Sequence, residues 1–439
     1  MYSLYIMKEH ISQPILSICI PTYNRTDILR QTLNSIFSQD VEQSLFEVCV
    51  SDDSPLADTE KMIKKEFFEY DNLVYKRKVL DNEISFLNCF EVLKMGSGQY
   101  LKLCNDTSFF NPDSVSRMIQ VLENNIETKP VIFFPMGSLT DVSEKSFSDF
   151  NSFLAYVSYW STWAGAFGIW KKDFSCLLDK NIINNLMNDV VIDKKFPHTA
   201  MLFNLSEKKT FFVDNYQYTK TLPVETKGGY NLPEVFGVKY IRMIQELYDK
   251  RIITYTTTQK IKSDIFEFVA DWNVNVFFEP KKFTFDFSNV QKYITASYGD
   301  KGCLHYCDVV KQKIVKRQLD REKAEEILLE KKARVELAIP QILHDKKNRL
   351  LYVWGIGANA KIVEEVLAAH GIQIDGYIDK CGGDGMMRNG LPVKLCKDVL
   401  CNNVYVVVSM KNVDSTVFEE FRKFGYSDYD FCCPMIDSK

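Results

Sequence analysis

Residues Ile15 to Arg25 read ILSICIPTYNR. The run is apolar and largely β-branched until Pro21, which has no N–H to give a ladder, so it reads as a central parallel strand closed by a loop. Just beyond, Ile28, Leu29, Leu33, Ile36 and Phe37 recur at helical spacing, with Thr26 or Asp27 placed to cap the helix. The scheme then repeats. FEVCVSDDS (Phe46–Ser54) is a second apolar run with an acidic end, and Met62, Ile63, Phe67 and Phe68 mark a second amphipathic helix. NLVYKRKV follows, then a helix expected over Phe86 to Met95, then YLKLCNDTSFF (Tyr100–Phe110), whose apolar part stops at Asn105-Asp106-Thr107. Strand alternating with helix implies a parallel sheet with right-handed crossovers, and such sheets bind ligands at the carboxyl ends of their strands. Tyr23, Asp52, Asp53 and Asp106 all fall there, which makes that edge the candidate site.

Bulk properties narrow the class. The 439 residues leave room for two or three domains, and 46% apolar with 26% charged residues is ordinary globular composition. A net charge of -4 speaks against a nucleic-acid partner. The start of the chain lacks the pattern of a signal peptide, and the twelve cysteines form no Cys-x-x-Cys pair, so a reducing cytoplasm is expected. Cys303-Leu-His305-Tyr-Cys307 lacks a partner pair at zinc spacing and reads as ordinary thiols. Phe150 to Trp170 is uncharged over a membrane-spanning length, but its serines, tyrosines and glycines fit a sheet strand beside an aromatic-lined cleft better.

From about Leu232 to Ile342 the pattern is helical, through Val238–Tyr248, Gln259–Val276 and a long run from Cys307 to Leu337. Residues 301 to 349 hold 13 Lys and Arg against 8 Asp and Glu. That excess suits a solvated helix or a basic face touching an anionic membrane. RLLYVWGIGANAKIVEEVLAAHGIQIDGYIDK (Arg349–Lys380) starts a second strand–helix–strand unit, with Gly355 and Gly357 in the first turn, and NNVYVVVSM supplies a later strand. The expected division is an α/β domain over 1–230, a helical connecting region over 231–345 and a Rossmann-like domain over 346–439.

Four stretches, LSICIPTYNRTDILRQTLNSIFSQ, FEVCVSDDSP, DNEISFLN and GQYLKLCNDTSFFNPDSV, together resemble the family 2 glycosyltransferases, inverting enzymes of the GT-A fold, and among them the abequosyltransferase-like set. The resemblance implies that Pro21, Thr22 and Tyr23 shape the loop against a nucleotide base, that Arg25 lies near its phosphates, and that Asp52 accepts from the base with Asp53 assisting. Asn82 and Asn88 match a family asparagine pattern in which Ile84 replaces glycine. In the acidic motif Asp106 is the first carboxylate, while Thr107 and Ser108 stand where further carboxylates are usual. The implied Mn2+ or Mg2+ would therefore rest on Asp106, or the enzyme would use cationic side chains instead. The general base is expected at Asp193 or Asp189, with His198 orienting the acceptor or acting as base itself. Trp160 and Trp163 stack on an acceptor sugar or pack beside the sheet.

The tail resembles the nucleotide-binding domain at the front of sugar O-acetyltransferases, on YVWGIGANAKIVEEVL, IDGYIDK and NGLPV. Gly355 and Gly357 would let backbone N–H groups meet a phosphate; NAD is not expected, and Asp379 stands at the ribose-acid position. These resemblances imply an inverting transferase that takes a nucleotide-sugar, a UDP-sugar foremost, and a saccharide or lipid-linked acceptor in bacterial capsule, O-antigen or related glycan synthesis. It would act in the cytoplasm or peripherally at the inner face of the membrane, with a homo-oligomer left open. A non-catalytic nucleotide-sugar-binding scaffold is the alternative.

Overall fold

The computed structural model describes residues 13–77, 88–139, 143–179, 196–410 and 415–435. Asn82, Asp189 and Asp193 lie outside them. Two compact units result, Met1–Lys313 and Ile314–Lys439. Both are α/β.

In the first unit a five-stranded sheet runs in the order Leu73–Arg77, Phe46–Asp52, Leu16–Thr22, Tyr100–Leu103, Gly168–Trp170. The first four are parallel and the last is antiparallel to Tyr100–Leu103. The register pairs Ile18 with Val48 and Ile20 with Val50, all wholly buried, each such side chain stabilising by roughly 1.5–3 kcal/mol. The helix begins at Thr26 and runs to Phe37 with Leu29, Leu33 and Ile36 inward. Neither Thr26 nor Asp27 caps it: Arg25 holds that position, and Asp27 pairs instead with Arg30.

Phe150 to Trp170 is not one strand. It forms the helix Phe150–Val157, two 3-10 turns over Ser158–Thr162 and Ala164–Ala166, and only then the short strand Gly168–Trp170. Phe153, Leu154 and Val157 recur at helical spacing and are fully buried, so helix packing decides the segment. Among the described residues no helix is long and apolar enough to cross a membrane.

The helical stretch after residue 231 is no mere connector. Ile261, Ile265, Val269 and Ala270 of the helix Tyr255–Phe278 share one apolar core with Phe90, Leu101 and Phe153. The unit boundary falls instead inside the helix Val290–Lys346, which is interrupted at Gly299 (φ 72°).

The second unit has a six-stranded sheet in the order Met387–Arg388, Leu391–Lys394, Gly376–Ile378, Leu351–Trp354, Tyr405–Val408, Phe431–Cys432. Its centre is parallel, and Val353, Ile378 and Val407 are wholly buried. All twelve cysteines of the chain are free, and His305 stacks on Phe266 at 5.4 Å.

Candidate functional site

Strand order in the first sheet reverses at Leu16–Thr22: the chain builds outward through Phe46–Asp52 to Leu73–Arg77, then returns to the other side at Tyr100–Leu103. Crossovers diverge at such a point and leave a crevice beyond the strand ends. The two strands that flank the reversal are joined across it by side chains. Thr22 Oγ1 donates to Asp106 Oδ2 at 3.0 Å and Arg25 Nη1 to Asp106 Oδ1 at 2.9 Å. Thr32 Oγ1 donates to the Asp106 carbonyl at 2.7 Å. Asp106 is 4% exposed. Burial raises its pKa, and Arg25 and Thr22 oppose that shift.

A cleft of about 1120 Å³ opens here, lined on this side by Pro21, Thr22, Tyr23, Arg25, Asp53, Asn88 and Asp106. The two acidic residues of the second strand part company. Asp52 is fully buried with both oxygens occupied, Oδ1 by Ser54 N–H at 2.9 Å and Oδ2 by Tyr75 O–H at 2.8 Å, and it does not line the cleft. Asp53 does, and its buried Oδ1 has no hydrogen-bond partner. Burial, with the Asp52 charge adding, pushes its pKa up to about 6. Asn88 donates to Thr22 O at 3.3 Å and Ser51 O at 3.0 Å, tying the two strand ends together, while its own Oδ1 is also buried without a donor. Two acceptors without protein donors beside one cleft carry a cost that a water or a ligand N–H or O–H removes. Strand alternation explains the exchange between the acids: neighbours on a strand point to opposite faces, and Asp52 is the one turned under Tyr75.

The facing wall comes from later in the chain. Thr219–Thr221 pairs antiparallel with Ser108–Phe110, and Leu222 N–H donates to Thr107 O at 2.7 Å. Residues from Thr221 through Tyr230 then run along the cleft. Behind them stands an aromatic surface: Tyr159 stacks on Trp160 at 5.2 Å, Trp160 lies 4.9 Å from Trp163, and Tyr159 lies 4.8 Å from Phe268. Lys227 places its ammonium 4.8 Å over the Trp272 ring. Sequence reasoning missed Lys227 and Trp272; the Lys227-Gly228-Gly229 run after a strand was the available signal.

Three buried side chains fix the aromatic turns. Lys102, wholly buried, donates to Leu103 O at 2.8 Å and to Gly165 O. His198 accompanies Thr162 O at 2.8 Å, and Thr199 Oγ1 donates to Ser161 O at 3.0 Å. His198 is buried on the helix Pro197–Phe203, does not line the cleft, and is pushed down to about 4 by burial. It is a prop for the Trp160–Trp163 turn, not a base facing an acceptor.

A hard divalent cation fits these residues poorly. Such ions fill about six oxygen positions, commonly one or two protein carboxylates with substrate phosphate oxygens and water, so the test here is whether a carboxylate oxygen is left for one. Here Asp106 is the one carboxylate of its motif, both its oxygens are engaged, and a guanidinium sits on one of them. Ser108 is in the ladder with Thr221 and does not line the cleft. Among the described residues no group of three or more His, Cys, Asp or Glu is placed to hold a metal.

In the second unit Gly355 adopts φ 99°, and a Cβ there would meet Ser409 Oγ at 2.8 Å. Gly357 caps the helix Ala358–Ala369. The Arg388 guanidinium bonds the Ile356 carbonyl between the two glycines, and Asp379 Oδ1 accepts from Cys381 N–H at 3.1 Å.

Residues 17–145 match the family described as Glycosyl transferase family 2. The match covers the sheet edge that carries Thr22, Arg25, Asp53 and Asp106. The chain is 27% identical over 113 residues to abequosyltransferase RfbV of Salmonella typhimurium, 26% of this chain and 34% of that protein. It is 29% identical over 143 residues to an uncharacterized glycosyltransferase of Rickettsia prowazekii, 32% of this chain and 42% of that one. The chain thus spans well under half the length of these curated relatives. Among solved structures, S. aureus TarS 1-349 in complex with UDP-GlcNAc aligns over 68% of this chain and 82% of that one, at 16% identity and TM-score 0.43. Mannosyltransferase PcManGT from Pyrobaculum calidifontis, in complex with GDP-Man and Mn2+, aligns over 69% and 88% at 10% identity and TM-score 0.35. The chain's own geometry therefore carries the site.

Proposed function

We propose that this chain is an inverting glycosyltransferase that moves a sugar from a nucleotide-sugar, a UDP-sugar foremost, to a saccharide or lipid-linked acceptor. The observation that supports it most is the pairing of walls in one cleft. One wall offers acceptors without donors, Asp53 and Asn88, beside the Arg25 cation; the other is the aromatic surface of Tyr159, Trp160, Trp163 and Trp272. A nucleobase N–H or ribose hydroxyl answers the first, a diphosphate answers Arg25, and the apolar face of a sugar stacks on the second.

Transfer needs little else from the protein. The acceptor hydroxyl attacks the anomeric carbon from the face opposite the diphosphate, and its proton passes to a carboxylate, here assigned to Asp193 or Asp189. The bond from anomeric carbon to phosphate oxygen breaks, and its electron pair leaves with the diphosphate. The family match of residues 17–145 and the names of the relatives support the class; the sugar and the bacterial surface-glycan setting are part of the proposal.

The test is direct. The full chain is incubated with a panel of UDP-, GDP- and TDP-sugars and mixed saccharide acceptors, and nucleotide release and glycan mass are followed. Transfer lost in Asp53→Asn and in the Asp189→Asn/Asp193→Asn double variant is the expected result. Binding of a nucleotide-sugar with no turnover on any acceptor favours the scaffold reading instead.

A further inference from the structure

A nucleotide-sugar transferase must neutralise the charge that grows on its departing diphosphate. The usual device is a divalent ion held by carboxylates, and the residues of this cleft do not suit one. They supply something else. Arg25 spends one N–H on Asp106 Oδ1 and keeps the rest of its fork for other acceptors; its side chain is 48% exposed and lines the cleft. Lys227 lines the same cleft from the facing wall.

The place of Lys227 follows from the backbone. The ladder of Thr219–Thr221 with Ser108–Phe110, extended by Leu222 N–H to Thr107 O, holds this segment against the acidic motif itself. Five residues on, Lys227 N–H donates to Lys282 O at 2.9 Å, and the strand Lys227–Asn231 pairs with Phe283–Asp286. The lysine is thereby anchored at both approaches. Its ammonium rests over Trp272, and among the described residues no carboxylate pairs with it. Partial burial lowers its pKa from the ordinary lysine value.

We propose that Arg25 and Lys227 together hold the leaving diphosphate directly, so that donor binding and departure require no divalent ion. The inference rests on the nucleotide-sugar reading above. In the reaction the electron pair of the cleaved C–O bond goes to the diphosphate, whose added charge is met by the guanidinium fork and the ammonium, both charge-assisted donors. Asp106 does not ligate a metal in this scheme. It fixes the orientation of Arg25.

Calorimetry on the full chain separates the alternatives, with UDP, GDP and TDP as diphosphate probes and uridine, guanosine and thymidine as their nucleosides. Each is titrated after EDTA treatment and again with Mn2+, into the wild type, Lys227→Met and Lys227→Arg. The expected result is that a diphosphate binds in EDTA within about twofold of its affinity in Mn2+, that Lys227→Met weakens it about tenfold, and that Lys227→Arg restores most of that loss. The matching nucleoside binds all three proteins alike, which also shows that the variants fold. Tightening by Mn2+ of about tenfold or more, or a Lys227→Met variant that binds the diphosphate like wild type, overturns the proposal and leaves the donor reading standing. Failure of UDP, GDP and TDP and of their nucleosides to bind overturns the donor reading, and this proposal with it.

Discussion

His198 Nε2 lies 2.8 Å from the carbonyl oxygen of Thr162, the residue before Trp163. The contact requires the proton on Nε2, which leaves Nδ1 bare, buried and without a partner. A neutral ring is thus built into the support of the aromatic wall. The folded pKa, about 4, lies below the free value of 6.5. Between those pH values the unfolded chain binds more protons than the folded one, so stability present above pH 6.5 drains away as pH falls toward 4. The loss is on the order of 3 kcal/mol. Urea midpoints of the wild type should fall over this window, and those of His198→Gln, which keeps a donor but does not titrate, should fall less.

Asp53 has the opposite sense. Its carboxyl, raised to about 6, holds a proton in the folded state that the unfolded chain has already lost, so its contribution to stability fades as pH rises through 6. Ligand binding runs the other way, because the ionised form is the better acceptor. Uridine, which carries no phosphate to titrate in this range, should bind roughly tenfold tighter at pH 7 than at pH 5 in the wild type and with unchanged affinity in Asp53→Asn. Titration calorimetry at the two pH values checks both.

Gly168 begins the antiparallel strand beside Tyr100–Leu103, and a Cβ there would sit 2.4 Å from Tyr100 Cε1. Tyr100 cannot retreat: its hydroxyl donates to Ile132 O at 2.9 Å and its ring meets Trp170 edge-on at 5.0 Å. Gly168→Ala should cost about 1–3 kcal/mol by overpacking alone, read from thermal or urea unfolding.

Trp163→Ala should separate the two halves of the cleft. Loss of the stacking face should raise the acceptor KM about tenfold or more while the dissociation constant of UDP stays within about twofold of wild type. An equal loss in both would show that the aromatic wall serves the nucleotide.

Much of this was legible in the residues. The apolar runs ending at Thr22, Asp52 and Leu103 placed three strand ends at one edge, and the structure joins two of them through Thr22, Arg25 and Asp106. What sequence could not reveal was orientation. Asp52 and Asp53 are adjacent and chemically identical, and only the packing of Tyr75 over the first decides which one faces the cleft. His198 looked like a candidate base because of its type, but type says nothing of the burial that holds it neutral. Lys227 left only the faint signal of its Gly-Gly neighbours, because its place in the cleft depends on a strand pairing with residues far away in the chain. Asp189 and Asp193 lie outside the described residues.

That distant pairing has a kinetic consequence. Asn111 Nδ2 donates to Gln217 O at 2.6 Å across 106 residues of chain, beside the ladder that sets Thr221 against Ser108. Contacts that close so long a loop pay its entropy before they gain anything, so they form late in folding and open early under stress. The segment matched by family resemblance, residues 17–145, ends before the second half of this pairing is synthesised. A nascent or truncated chain that stops there would own the sheet edge and its acids but only one bank of the cleft, and the facing wall with Lys227 would come only with the strand Phe283–Asp286 that pairs it.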